Sequence, residues 1–174
     1  MENTKLYNMI LPIFMLYVFA PAIWIISIIG NLVIDSISLI VLLIIFKKLS
    51  FKTYIKTIIP LWIFGFVADF IGAGYLTLMS INTKSDYYVG KEDLLRQIKS
   101  GVYLATNHSP FDSLWGVVFI LSGILMSSVL IFVFDYFFLI NIKELNKKQR
   151  IISALTFCIV TAPYTFFLPK EFFI

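Results

Sequence analysis

The chain has 174 residues, of which 60% are hydrophobic and only 14% charged, with a formal net charge of +4. A soluble domain is typically about 45–50% apolar and about 25% charged, so this excess does not fit inside one soluble core. The charges gather between long uncharged stretches, the pattern of membrane spans and their loops. The lysines flank those stretches, where topology accounts for them, and nucleic acid is excluded as a partner. The residue pattern predicts an all-α, polytopic transmembrane helical bundle forming a single domain over residues 1–174.

Residues 9–46 carry one acidic residue, Asp35, and no basic one. As one helix this stretch would measure about 57 Å, against a hydrocarbon core of about 30 Å, so it divides into two spans. The turn-type pair Gly30-Asn31 is the expected break, giving spans at about 6–29 and 31–47. Ala20-Pro21-Ala22 has the small-x-small look of a signal-peptide cleavage site. Glu2 in the leader and the unbroken apolar run of residues 23–29 argue for an uncut span instead. An arrangement of four spans with a re-entrant first segment is the alternative.

Residues 47–56 (KKLSFKTYIK) read as a short basic loop. A third span follows at about 57–80, with Pro60 in its first turn, where the missing N–H costs little. Residues 81–110 are the longest polar segment. Within them, Leu94, Leu95, Ile98 and Val102 share one helical face and Glu92 and Arg96 form an i,i+4 pair, so a short amphipathic helix is expected. A fourth span at about 112–140, a second basic loop at 141–150 (NIKELNKKQR) and a fifth span at about 151–168 complete the chain.

The positive-inside rule sets the orientation. Lys47, Lys48, Lys52 and Lys56 lie in one loop, and Lys143, Lys147, Lys148 and Arg150 in another. Five spans place both on the cytoplasmic side, with the N-terminus inside, the C-terminus outside, and the amphipathic helix on the outer surface. Tyr7, Trp62, Tyr75, Trp115 and Tyr164 fall near span ends and suit the interfacial aromatic belt. Phe132, Phe134, Phe137 and Phe138 surround the fourth span and suit lipid contact. Arginine occurs only as Arg96 and Arg150 among many lysines, isoleucines and phenylalanines, a usage that fits an AT-rich bacterial genome and hence a bacterial plasma membrane.

Ionisable residues inside spans are functional candidates by default, because lipid does not solvate them. Asp35 shares its helical face with Asn31 and Ser38. Asp69 is flanked on its face by Gly65 and Gly72, a stripe that lets another helix approach. Asp35, Asp69 and Asn31 are therefore the candidate ligand- or ion-binding residues, lining an outward-opening site for a cation or proton. The competing reading makes each carboxyl structural, bonded to a neighbour's hydroxyl or backbone. Asp135, beside the second basic loop, reads as an interfacial anchor. Small-xxx-small pairs, Ala68 with Gly72 and Gly123 with Ser127, mark the third and fourth spans as a close pair.

A second candidate cluster is Asn107, His108 and Asp112 at the outer mouth of the fourth span, where a His–Asp pair would supply a general base. The string Asn107-His108-Ser109-Pro110-Phe111-Asp112 resembles the His-x4-Asp motif of glycerolipid acyltransferases. Its spacing is His-x3-Asp, and the glycine-rich acidic phosphate-binding block of that family is missing, so no residue role carries over. Ser109 or Asp112 as a helix cap with Pro110 in the first turn is the simpler reading. One histidine and one cysteine, Cys158, leave no transition-metal set, and no nucleotide-binding glycine motif occurs. No cofactor is expected, and an enzyme is the least favoured class. Small size and short loops favour a membrane subunit or regulator that works through a membrane-protein partner. The alternative is a small ion or solute transporter, acting as a homo-oligomer, built on Asp35 and Asp69.

Overall fold

A computed structural model describes residues 21–81, 94–139, 142 and 145–168, with side chains from residue 28 onward. The described residues form five α-helices: α1 (Pro21–Ile45), α2 (Phe51–Ile81), α3 (Leu94–Asn107), α4 (Leu114–Leu139) and α5 (Lys147–Val160). Short 3-10 turns stand at Pro110–Asp112 and Tyr164–Phe167. Four segments are long and apolar enough to cross a membrane: Ile28–Ile45, Phe51–Ile81, Leu114–Leu139 and Lys147–Phe167. Their outward surfaces carry exposed Ile, Leu, Val and Phe side chains, as lipid-facing helices require.

The expected break at Gly30-Asn31 does not occur; α1 runs through it without interruption. The physical reason is that the Asn31 amide is engaged from within the helix, donating to the Asp69 carboxylate at 3.0 Å. The helix instead ends at the first lysine pair. Lys48 N–H donates to the Leu43 carbonyl and Lys47 N–H to Ile44, the two bonds of a Schellman cap, with Lys47 in the left-handed region at φ 55°. The first span expected at 6–29 lies mostly outside the described residues. The helix expected from about residue 57 begins at Phe51. Lys52 and Lys56 are therefore helical and Pro60 is interior, a position that membrane helices tolerate. The last α-helix spans 14 residues, about 21 Å at 1.5 Å per residue, and the Tyr164–Phe167 turn extends it.

Contacts divide the chain into two compact units, with α2 and α4 contributing to both. The larger unit contains residues 20–72 and 124–163. Leu39, Leu42 and Leu43 of α1, Ile58, Leu61 and Ala68 of α2, Ile131 of α4 and Phe157 of α5 form its core. In it α2 and α4 are in close contact: Ser127 Oγ donates to the Ala68 carbonyl at 3.2 Å. Phe64 packs on Phe134 and Phe138 with ring centroids 5.3 and 4.5 Å apart. Trp62, expected in the interfacial belt, donates its indole N–H to the Ile28 carbonyl, and Tyr54 donates to Ser36 Oγ. These bonds tie α1 to α2.

The smaller unit contains residues 73–123 and 164–168 among the described residues. Its inward face on α3 is Gly101, Val102, Ala105 and Thr106, while Leu94 and Leu95 are exposed. Gly101 lies so close to the start of α4 that a Cβ there would collide with the Trp115 side chain and with the Gly116 N–H at 2.9 Å. Gly123 likewise leaves room for Leu76, whose Cγ would stand 2.5 Å from an added Cβ.

Two glycines in these helices give opposite expectations. Gly30 has open space around an added Cβ, so Gly30→Ala raises stability by roughly 0.5–1 kcal/mol. Gly101→Ala meets backbone and loses roughly 1–3 kcal/mol. Unfolding of the two variants in mixed micelles checks both signs.

Candidate functional site

Three acidic side chains are carried into the larger unit by three different helices: Asp35 on α1, Asp69 on α2 and Asp135 on α4. Each belongs to its helix's buried stripe. Asp35 precedes Leu39 and Leu42–Leu43, Asp69 follows Ala68, and Asp135 stands in the series Ser127, Ile131, Asp135, Leu139 at i+4 spacing. The exposed fractions are 4% for Asp35, 2% for Asp69 and 2% for Asp135. Asp35 and Asp69, read in sequence as lining an outward-opening site, are thus enclosed. Asp135, read as an interfacial anchor, is a buried group; its closeness to the end of α4 sets its depth but not the face it occupies.

Their partners are few. Asp69 Oδ2 accepts from Asn31 Nδ2 at 3.0 Å, and its Oδ1 is buried with no hydrogen-bond partner. Asp135 Oδ1 is likewise buried and unpartnered. Asp35 stands against Gly65, whose added Cβ would come within 3.9 Å of Asp35 Oδ2. A Cβ there would touch the carboxyl without a clash, so α2 passes alongside Asp35 at Gly65.

The register of the helices orders the three groups. On α2, Asp69 adjoins Ala68, which meets Ser127; Gly65, one turn away, faces Asp35; Phe64 meets Phe134, the neighbour of Asp135. Asp35 thus stands between the levels of Asp69 and Asp135. Among the described residues no basic group makes an ion pair or hydrogen bond with any of the three carboxyls. Arg150, the cation with a buried atom, donates Nη2 to the Ile142 carbonyl at 3.2 Å and leaves its Nε unpartnered.

The second candidate cluster behaves differently. His108 and Asp112 are exposed. Asp112 Oδ2 accepts from Ser109 N–H at 3.2 Å, Ser109 Oγ accepts from Phe111 N–H at 3.2 Å, and Asn107 Nδ2 donates to the Tyr103 carbonyl at 2.9 Å. This is a reciprocal capping box around the 3-10 turn. Asp112 is committed to the backbone and makes no hydrogen bond to the imidazole. Sequence reasoning missed Ser113, whose Oγ accepts from Gly116 N–H at 2.9 Å at the start of α4. Its signal was available: a serine immediately before the apolar run.

Among the described residues no group of three or more His, Cys, Asp or Glu side chains is arranged to hold a metal ion. No family model, curated protein or solved structure matches the chain.

The Asn31–Asp69 bond is testable by a mutant cycle. Asn31→Leu leaves Asp69 without a partner on either oxygen and is expected to lower stability by roughly 1–3 kcal/mol. Adding Asp69→Leu restores most of the loss. Equal, additive losses in the two single variants would contradict the pairing.

Proposed function

We propose that the chain is a small cation transporter whose pathway runs through Asp69, Asp35 and Asp135 in the larger unit. The observation that carries this reading is the gathering of three uncompensated carboxyls, two with buried unpartnered oxygens, in the interior of an apolar helical unit. Purely structural carboxyls inside a membrane protein are expected to be fully hydrogen-bonded or ion-paired. A role as a subunit of a larger assembly accounts for small size and short loops, but it gives no reason for three buried carboxyls on three helices of one unit. The enclosure of all three corresponds to a closed state, so transport requires the helices to part at each end in turn.

The basic chain segments around Lys47, Lys48, Lys52 and Lys147, Lys148, Arg150 put the Asp135 end of the pathway toward the cytoplasm in this reading, by the positive-inside rule. The plasma membrane of a bacterium is the proposed location, and association into a homo-oligomer is compatible with the small size of one copy.

Charge movement by the purified chain on a solid-supported membrane tests the proposal. A cation gradient is expected to drive a transient current that falls roughly tenfold or more in Asp35→Asn and in Asp69→Asn. Unchanged currents in both variants would sink the transporter. Retention of a second protein at fixed stoichiometry, with no current from the isolated chain, would favour the subunit role instead.

A further inference from the structure

We infer that the cation passed along Asp69, Asp35 and Asp135 is the proton, handed between carboxyls through intervening water. This inference rests on the transporter reading and names its substrate. A desolvated metal cation needs several oxygens converging on one point, about six to eight at 2.3–2.6 Å for a calcium-sized ion. The three carboxyls do not converge in this way. No hydrogen bond joins one carboxyl to another, and they come from three helices at successive levels. A proton requires only one oxygen at a time, together with a chain of groups near enough for charge to pass from one to the next.

The arrangement meets that requirement. Asn31 occupies Asp69 Oδ2, so Oδ1, buried and without a partner, is the oxygen free to exchange a proton. Asp35 is the middle member by register: it lies against Gly65, one turn of α2 from Asp69 and next to Phe64, which packs on Phe134, the neighbour of Asp135. Gly65, without a side chain, lets α2 lie alongside Asp35 Oδ2. Asp135 Oδ1, again buried and unpartnered, is the receiving atom at the far end. Among the described residues, the acidic and thiol groups on the helices of this path are Asp35 from α1, Asp69 from α2, Asp135 from α4 and the Cys158 thiol from α5, and no lysine or arginine pairs with the carboxyls.

Each transfer is balanced. The donor carboxyl's O–H bond breaks as its proton joins a water, and that water's opposite O–H bond breaks as a new O–H bond forms on the acceptor carboxylate. The water is regenerated and the donor is left as carboxylate. No electron changes hands, and after the last step one proton has moved from the Asp69 end to the Asp135 end. Asp35 is obligatory because it stands between the other two along α2.

The experiment uses the full chain in liposomes enclosing a pH-sensitive dye, in sodium-free potassium buffer with valinomycin setting an inside-negative potential. The lumen is expected to acidify. Asp35→Asn is expected to slow acidification to the rate of protein-free liposomes, while Asp35→Glu, which keeps the exchangeable proton, retains it and shows that the fold and insertion survive a change at this site. Acidification by Asp35→Asn at the unsubstituted rate would overturn the relay. A parallel set without valinomycin receives radiolabelled sodium or rubidium. Uptake of either ion that is lost in Asp35→Asn, with no acidification, overturns the proton assignment and leaves cation transport standing. Absence of both acidification and ion uptake overturns the assignment and the transporter reading together.

Discussion

Lipid offers no hydrogen bond to a carboxyl group, so each acidic side chain carried into the apolar part of this chain must be housed by neighbouring helices. This constraint fixes the rotation of three helices about their axes. With Asp35 turned inward, Leu39, Leu42 and Leu43 follow onto the same face of α1, and Ile37, Ile40, Ile44 and Ile45 are left for lipid. With Asp135 inward, Ser127, Ile131 and Leu139 line up on α4. The hydrophobic effect does not choose between such faces in a membrane, because lipid tails are as apolar as the core. The polar groups make that choice, and the close contact of Ser127 with the Ala68 carbonyl then holds α2 against α4.

The same constraint explains which features were legible in the sequence. Asp35 and Asp69 stand out as lone charges in apolar runs, and the small residues Gly65, Ala68, Gly72, Gly123 and Ser127 mark faces where another chain segment approaches. Asp135 is equally legible as a charge, but its distance from the second basic loop locates it only along the helix. Burial depends on the angular position, which the i+4 series from Ser127 to Leu139 contains and which a count from the loop ignores. The helical class, with segments long and apolar enough to cross a membrane, followed from composition, because the apolar runs are too long and too many for a soluble core.

Two expectations failed for reasons of local chemistry. Gly30-Asn31 has turn propensity in water, where the Asn side chain competes for its own backbone. Inside the larger unit the amide has a better partner in Asp69, the backbone keeps its helical bonds, and the pair becomes part of a helix. Lys52 and Lys56 read as loop residues because they are charged, yet a membrane helix can extend past the hydrocarbon edge while its lysines reach water. The contact between Gly101 and Gly116 was invisible for another reason. The two glycines sit on different helices, and only Gly101 has a small residue, Ala105, four positions on, so only the folded chain brings them together.

An interior of well-packed leucines would be a more stable solution than three carboxyls. Burying a polar group without a full set of hydrogen bonds costs roughly 1–3 kcal/mol by protein mutational measures. Replacing buried charged groups with apolar ones of similar volume is often neutral or stabilising. The larger unit therefore sits below the stability its apolar residues would allow, and it does so at three positions on three of its helices. Independent structural roles would scatter such groups, each beside its own donor. Here one donor, Asn31, serves one oxygen of Asp69, Gly65 lies beside Asp35, and one oxygen each of Asp69 and Asp135 is left without a partner. A set of buried acids arranged in series, held at a cost and left partly unbonded, is better matched to passing a positive charge along than to holding helices together.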